Sequence, residues 1–296
     1  MKKTILLGGS GFLGPQILRR YPEIISVGRT HPRVEDITHI DCKSVLELPK
    51  VLDKLDFENV IMMIGSSDHH KLNDNKANPA IAIEKNVVTT YNVLSYFKER
   101  KINRLLTFTT ILLYDKDKMQ LPVVESQPLN PYINDYIFSK YLVEQISNRF
   151  QFDIPITTIR MTNIYGPTTV LGRPDVVNNL VEQLIFNKSA KVISKIPQRD
   201  FIYVKDATDA IIKLLDSNYN GPVNVATGKL HSIGDVVSIL ENISGIEIEN
   251  QNGKMTGHLK YVSDISLLKT LTNWQPQYTL EQGLTETYNE MKAIYG

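Results

Sequence analysis

The amino-acid sequence predicts an α/β fold, in which a doubly wound parallel sheet is followed by a smaller C-terminal α/β unit. Short apolar runs alternate with longer amphipathic segments through the first 110 residues and beyond. This alternation is typical of a parallel sheet that is covered by helices on both faces. After Pro167 the loops lengthen and helical segments alternate with brief strands, which indicates a second, smaller unit.

The short apolar runs predict the strands of the sheet. They are TILLGG (residues 4–9), IISVG (24–28), NVIMMIG (59–65), RLLTFTT (104–110) and ITTIRM (156–161). Strands of a parallel sheet are buried on both faces, so they appear in a sequence as continuous apolar runs.

The amphipathic segments predict helices. They are FLGPQILRRY (12–21), SVLELPKVLDKL (44–55), AIEKNVVTTYNVLSYFKER (82–100), YIFSKYLVEQISNRF (136–150), VVNNLVEQLIF (176–186) and SIGDVVSILENIS (232–244). Pro15 falls in the first turn of its helix, where proline is tolerated, whereas Pro49 interrupts the second helical segment.

A glycine-rich stretch, LLGGSGFLG, joins the first strand to the first helix. Glycines allow the tight turn and let a pyrophosphate approach the amides at the helix N-terminus. Alone, such a stretch is equally consistent with a tight turn that binds nothing. Its place directly after a strand and before a helix favours dinucleotide binding and a Rossmann-type sheet. The predicted binding residues are Gly8, Gly9, Ser10, Gly11, Phe12, Leu13 and Gly14.

We therefore divide the chain into a dinucleotide-binding domain, residues 1–165, and a mainly substrate-binding cap, residues 166–296. Some cap segments are expected to return to the sheet. The end of the second strand carries Gly28 and Arg29, where an enzyme that uses NAD usually has an acid. Because arginine can bind a 2′-phosphate, the sequence favours NADP(H), with NAD(H) as the alternative. Otherwise Arg29 is a solvated loop residue or stacks on adenine.

The spacing Tyr-x-x-x-Lys, a catalytic signature of many dehydrogenases, occurs three times. The pairs are Tyr136/Lys140, Tyr114/Lys118 and Tyr288/Lys292. A chain with 14 tyrosines and many lysines produces such matches by accident, so spacing alone does not choose among them.

Composition narrows the class of protein. Net charge is +1, which gives no electrostatic reason to expect nucleic acid or a membrane surface as a partner. The single cysteine, Cys42, excludes an internal disulfide and suits a reducing compartment. The N-terminal apolar run is too short for a signal peptide, and no run approaches 18 apolar residues. These observations predict a cytoplasmic location.

Several motifs in order resemble the extended short-chain dehydrogenase/reductase family, of the NAD-dependent epimerase/dehydratase type that modifies sugar nucleotides. They are GGSGFLG, NVVTTYN (86–92), FTTILLY (108–114), YIFSK (136–140), RMTNIYGP (160–167), RDFIYVKD (199–206) and WQPQYTLEQGLTET (274–287). The resemblance covers essentially the whole chain.

The resemblance selects Tyr136 and Lys140 as the catalytic pair. We expect Tyr288 to lie on a solvent-facing terminal helix. It implies that Tyr136 is the general acid or base, and that Thr110 holds the same substrate oxygen. Lys140 lies on the same helical face four residues on and also holds the nicotinamide ribose. A tyrosine has an ordinary pKa of about 10. We expect the ammonium and the nicotinamide to lower the pKa of Tyr136.

The resemblance also assigns residues to the two ligands. Asp41 and Cys42 match positions at the adenine end of the cofactor, and Gly65 matches a position against the cofactor backbone. Asn163 and Arg199 match residues that contact the substrate diphosphate. Lys254 lies in the segment that corresponds to the family's C-terminal motif for binding the substrate's nucleotide. In the family's 4,6-dehydratases, an Asp-Glu pair follows the residue that corresponds to Thr110. Ile111 and Leu112 occupy these two positions here, which argues against dehydration.

We therefore expect an NADP(H)-dependent reductase of a nucleotide-linked keto-sugar, with a 4-keto-6-deoxyhexose as the expected substrate. The alternative is an NAD-dependent sugar-nucleotide 4-epimerase with the same catalytic residues. A non-catalytic sensor is disfavoured, because a pure binder does not need a phenol beside an ammonium. The resemblance further implies a homodimer formed through the Tyr136 helix and its neighbour at residues 86–100.

Overall fold

The computed structural model describes residues 2–66, 80–253 and 259–296. The strands, in chain order, are β1 (Thr4–Leu7), β2 (Ile25–Gly28), β3 (His39–Asp41), β4 (Asn59–Met62), β5 (Arg104–Thr110), β6 (Ile156–Met161), β7 (Asn163–Tyr165), β8 (Ala190–Val192), β9 (Gln198–Arg199), β10 (Phe201–Tyr203), β11 (Gly221–Val225), β12 (His231–Ser232) and β13 (Ile248–Asn250). Seven of them form one sheet in the order β11-β6-β5-β4-β1-β2-β3. All neighbours in this sheet are parallel, so the predicted doubly wound α/β fold is confirmed.

The helices, in chain order, are α1 (Leu13–Arg20), α2 (Leu48–Leu52), α3 (Thr89–Lys98), α4 (Asp135–Phe150), α5 (Val176–Phe186), α6 (Val204–Leu214), α7 (Ile233–Ser244), α8 (Ser266–Thr272) and α9 (Leu280–Tyr295). A π-helical segment, Ile83–Val88, leads directly into α3, and a short 3₁₀ turn, Ile111–Leu113, follows β5. In the described ranges, no helix combines the length and the apolar character needed to cross a membrane.

The sheet is covered on both faces because alternate residues of each strand point to opposite sides. In β1, Ile5 and Leu7 pack with α3 residues such as Phe97. The intervening Leu6 packs on the other face with Ile17 of α1 and Ile211 of α6. This two-sided burial explains why the strands appear in the sequence as unbroken apolar runs.

The second half of the chain forms a smaller unit beside the sheet. Three two-stranded pairs, β7 with β10, β8 with β13 and β9 with β12, lie there. Helices α5, α7 and α9 bury their apolar faces in a shared core that includes Leu180, Val237 and Leu284. Strand β11 returns to the edge of the main sheet beside β6.

Two expectations differ from the structure. The helix around Pro49 begins at Leu48 and has only five residues, because proline is accommodated in a first turn but not in a helix interior. The terminal helix α9 does not present Tyr288 to solvent. Tyr288 is buried in the core of the second unit, where its ring fills space between helices.

Helix α4 is fixed to the sheet by a buried ion pair. Arg160 of β6 donates from Nε and Nη2 to the two carboxylate oxygens of Glu144, over 3.0 and 2.5 Å. Arg160 also donates to the Tyr114 hydroxyl over 2.8 Å. Both members of the pair are almost completely buried, so α4 has one position on the sheet.

Candidate active site

The glycine-rich loop lies at the carboxyl end of β1, between Leu7 and the start of α1 at Leu13. Strand β1 pairs with β2 on one side and β4 on the other, so the loop lies at the point where the strand order reverses. Gly8 has φ +81°, which favours glycine. A Cβ on Gly14 would stand 2.1 Å from the Gly9 carbonyl oxygen, so α1 approaches the loop closely only with glycine there.

The same loop fits a dinucleotide pyrophosphate. A Cβ on Gly11 would meet no atom within 4 Å, which leaves open space above the backbone. The first turn of α1 carries no acidic side chain, and no side chain caps its N-terminus. Free amides and the positive end of the helix dipole are therefore available to an anion.

The predicted adenine end of the cofactor site lies at the ends of β2 and β3. Gly28, the last residue of β2, pairs in register with Asp41 of β3. The Cys42 amide donates to the Gly28 carbonyl oxygen over 3.0 Å. Arg29 follows directly and is exposed, as is Asp41. The structure thus brings the three predicted residues, Arg29, Asp41 and Cys42, together beside Gly28, while their contacts to a cofactor stay a prediction.

Gly65 lies just beyond β4, next to a side chain that the sequence argument did not assign. Gly65 has φ +139°, and a Cβ there would stand 2.7 Å from Oδ1 of Asn86. That oxygen accepts from the Ser66 amide over 2.7 Å, and the Asn86 Nδ2 donates to Ser139 Oγ over 2.9 Å. Asn86 therefore joins the end of β4 to α4. Only its place in the NVVTTYN motif hinted at this.

The Lys140 side chain joins the first turns of α4, where Tyr136 lies, to the end of β5. The Lys140 ammonium donates to the Phe108 carbonyl oxygen over 3.3 Å and lies 6.0 Å from the centre of the Tyr136 ring. Thr110 is the last residue of β5, and its Oγ1 accepts from the Leu112 amide over 3.3 Å. The buried Tyr136 ring packs in a cluster with Ala82 and Leu113.

Burial governs the protonation of this pair. It raises the pKa of the Tyr136 phenol well above its ordinary value, because a phenolate would lose its hydration. It lowers the pKa of Lys140 to about 8, because an ammonium is disfavoured in the same surroundings. The expected lowering of the Tyr136 pKa, which relies on the ammonium together with a bound nicotinamide, stays a prediction.

The other two Tyr/Lys pairs have structural surroundings. The Tyr114 hydroxyl donates to Asn224 Oδ1 over 2.7 Å and accepts from Arg160, and Tyr114 is fully buried. Burial raises its pKa to about 12. Tyr288 lies in the core of the second unit. The interpretation that neither pair carries chemistry agrees with these positions.

A cleft of about 720 Å³ opens between the sheet and the second unit. Its lining includes Gly11 and Phe12 of the glycine-rich loop, Thr110, and the predicted substrate residues Asn163 and Arg199. Asn163 Nδ2 donates to the Asp200 carbonyl oxygen over 3.2 Å. Burial lowers the pKa of the Arg199 guanidinium, which raises the benefit of an anionic partner. The predicted substrate residue Lys254 lies outside the described residues.

Asp200 is buried and directly follows Arg199, which lines this cleft. Its carboxylate accepts from the amides of Thr227 and Gly228, each over 2.9 Å, and from the Thr227 hydroxyl over 2.7 Å. Burial raises its pKa to about 6, although these hydrogen bonds oppose the rise. The side chain ties the segment after β11 to the strand end that carries Arg199.

The structure also reveals a cleft residue without a sequence signal. Arg173, in the loop after β7, places its guanidinium carbon 3.8 Å from the centre of the Phe12 ring. No motif marks Arg173, and the contact joins residues that are far apart in the chain.

A family model described as "NAD dependent epimerase/dehydratase family" matches residues 4–226. The chain belongs to this family. The family's sheet, glycine-rich loop and Tyr/Lys helix all fall within the matched residues, so the family resemblance is confirmed.

Relatives match along almost the whole chain. A putative UDP-glucose 4-epimerase of Methanocaldococcus jannaschii is 27% identical over 97% of this chain and 98% of its own length. A UDP-N-acetylglucosamine 4-epimerase of Methanobrevibacter ruminantium, solved with UDP-N-acetylmuramic acid, has a TM-score of 0.86, 22% identity and 99% coverage of both chains. A UDP-glucuronic acid 4-epimerase of Bacillus cereus, solved with UDP-glucuronic acid and NAD, has a TM-score of 0.83 and 20% identity, covering 99% of this chain and 100% of its own. These two structures share the fold.

The lowered pKa of Lys140 predicts a pH-dependent cofactor affinity. Below about pH 7 the ammonium is present and can donate to the cofactor ribose. As pH rises through about 8, the proton is lost and so is the donor. We expect NADH affinity to fall roughly tenfold between ~pH 6.5 and ~pH 9.5, the size of one charge-assisted hydrogen bond. Fluorescence titration of cofactor-stripped protein measures this.

Lys140→Met is the control for this titration. Its NADH affinity should be weak at every pH and vary little across the same range. A wild-type affinity that stays constant to ~pH 9.5 would show that Lys140 does not provide the donor.

Proposed function

We propose that the protein is an NAD-dependent 4-epimerase of a nucleoside-diphosphate sugar. The observation that carries the proposal is that Lys140 links Tyr136 to the end of β5, while Thr110, the last residue of that strand, lines the same cleft as the glycine-rich loop. A hydroxyl, a phenol and an ammonium in this position suit proton transfer at a sugar oxygen. Ile111 and Leu112 offer no carboxylate for dehydration.

The relatives favour epimerisation over the reductase that the sequence argument placed first. The Methanocaldococcus jannaschii relative, matched over 97% of this chain, is named a putative UDP-glucose 4-epimerase. The Bacillus cereus 4-epimerase structure contains NAD and a UDP-sugar. Because reductase and epimerase require the same catalytic side chains, the catalytic residues alone do not separate them, and the relatives support the alternative better.

The residues divide the chemistry as follows. A bound NAD supplies a hydride acceptor and donor at its nicotinamide ring. Tyr136 Oη takes the proton from the sugar C4 hydroxyl and later returns a proton to the same oxygen. Thr110 Oγ1 holds that oxygen, and the Lys140 ammonium favours the phenolate against the opposing effect of burial. Asn163 and the Arg199 guanidinium bind the diphosphate and orient the sugar.

The NADP(H)-dependent keto-sugar reductase is the second candidate. The observation that favours it is Arg29, which lies exposed directly after Gly28 at the carboxyl end of β2. A guanidinium there can bind a 2′-phosphate. Cofactor choice therefore separates the two candidates, because an epimerase recycles its NAD whereas a reductase exchanges NADPH in every turnover.

We also propose a homodimer that forms through α3 and α4. These helices pack against each other, and Tyr91 contacts Phe150 with ring centres 5.5 Å apart. On the outer surface, Val88 of the π-helical segment is 50% exposed and Tyr91 of α3 is 54% exposed, so this continuous helical stretch presents apolar side chains to solvent. Two such faces can bury each other about a twofold axis.

Tyr136→Phe tests the catalytic assignment. We expect wild-type protein to interconvert at least one UDP-sugar and its C4 epimer, followed by NMR of the anomeric protons. The variant should lose about 10²–10⁴-fold in kcat, since it cannot exchange a proton, while UDP still binds. Tyr132→Phe, at an exposed tyrosine just before the same helix, should keep full activity. Turnover of Tyr136→Phe within a few-fold of wild type would contradict the assignment.

Cofactor identity tests the reaction type. Denaturing the purified protein should release NAD, identified by mass spectrometry, and the emptied protein should bind NADH at least as tightly as NADPH. Arg29→Ser should then change NADH affinity less than about twofold, since an exposed side chain contributes little to binding NAD. The reductase would instead be favoured by a tenfold preference for NADPH that Arg29→Ser removes.

Tyr91→Glu tests the dimer. Light scattering on a sizing column should give twice the 33.6 kDa mass of one chain for the wild type. The variant should give one chain, because a carboxylate buried in an apolar interface is strongly disfavoured. Ile294→Glu, at an exposed apolar residue on α9, should remain dimeric. A monomeric wild type would overturn the proposal.

A further inference from the structure

Phe12 connects the glycine-rich loop to the core of the second unit. Its backbone lies in the glycine-rich loop, between the open space above Gly11 and the first residue of α1. Its side chain packs into the core of the second unit, in one cluster with Val177 and Leu180 of α5. A ligand that fixes the glycine-rich loop therefore also fixes a ring in the wall of the cleft.

Arg173 lies on this ring and belongs to residues 166–175, which we call the cleft loop. Its guanidinium carbon stands 3.8 Å from the Phe12 ring centre, within the range of a cation–π contact. Its Nε donates to Asp175 Oδ2 over 2.8 Å. Asp175 in turn caps α5 by accepting from the Asn178 amide over 2.9 Å. Arg173 is thus held between the glycine-rich loop and the start of α5.

The middle of the cleft loop, residues 169–172, has little apolar anchorage, whereas the loop begins with three buried residues, 166–168. Val170 is 39% exposed and Leu171 is 45% exposed. Gly172 is held through its amide, which donates to the Glu182 carboxylate over 3.0 Å. Val170, Leu171 and Arg173 all line the cleft. Because few buried contacts hold residues 169–172, the stack of Arg173 on Phe12 helps to set their position.

We propose that the contact between Arg173 and Phe12 couples cofactor binding to substrate binding. The proposal rests on the proposed function only in that the glycine-rich loop binds a dinucleotide and the cleft binds a nucleoside diphosphate. A dinucleotide that orders the glycine-rich loop orders Phe12, and through Arg173 it orders the cleft wall. The nucleoside diphosphate then binds to a cleft wall that is already ordered, so its affinity is higher.

This coupling is reciprocal. A nucleoside diphosphate that orders the cleft loop must increase the affinity for the dinucleotide by the same factor. For an enzyme that keeps its cofactor through a catalytic cycle, the consequence is that the dinucleotide is held most tightly while the substrate is bound. Arg173 acts through other residues here and is a positioning residue.

The test measures UDP affinity by calorimetry in cofactor-stripped protein, with and without saturating NAD. In the wild type we expect NAD to tighten UDP binding at least about fivefold, a typical coupling between sites. Arg173→Met removes the cation and should bring this ratio close to one. Phe12→Leu should also bring the ratio close to one. The double variant should show the same ratio as either single variant, because both changes break the same contact.

Lys191→Met is the matched control. Lys191 also lines the cleft and is paired with Glu249 over 3.1 Å, but it lies on β8. In this variant, the ratio of UDP affinities with and without NAD should equal that of the wild type, even if UDP binds more weakly. Arg173→Lys keeps the positive charge but not the planar group, so it should retain part of the NAD effect. A partial effect in Arg173→Lys would also show that the loss in Arg173→Met does not come from misfolding. The proposal is overturned by a wild-type ratio of one, or by a ratio that survives Arg173→Met. Because only UDP and NAD are used, this outcome is independent of whether the protein epimerises a sugar.

Discussion

The buried ion pair between Arg160 and Glu144 is the constraint on which the site depends. It fastens α4 to β6, and through Tyr114 to the segment that follows Thr110. Glu144 lies four residues after Lys140, which in turn lies four residues after Tyr136, so all three occupy one helical face. Removing one member of such a pair typically costs about 3–5 kcal/mol, because the other charge is left buried alone. The position of the phenol and the ammonium relative to β5 follows from this attachment.

Burial around the catalytic pair has opposite effects on its two groups. It disfavours the phenolate of Tyr136 and the ammonium of Lys140. With a pKa of about 8, Lys140 still carries its proton at neutral pH, whereas the Tyr136 phenol stays protonated. Tyr136 packs in a cluster with Leu113 and Ala82, away from bulk solvent.

The substrate side of the cleft is held less tightly than the catalytic side. Thr110 and Lys140 are placed by the central sheet and by α4, whereas the opposite wall consists of a loop with exposed apolar side chains and a few polar anchors. The two walls of the cleft therefore differ in how firmly the fold holds them.

The sequence by itself determined the features that depend on neighbouring residues. The apolar runs predicted the sheet, the glycine spacing predicted the loop at Gly8–Gly14, and the ordered motifs identified the family and separated Tyr136 from Tyr114 and Tyr288. Tertiary structure decided what depends on residues brought together from distant parts of the chain. It placed Arg173 on Phe12 and Asn86 between Ser66 and Ser139, and it buried Tyr288. It also raised the pKa of the Tyr136 phenol, because desolvation depends on everything that surrounds the ring, and no spacing along the chain reports that.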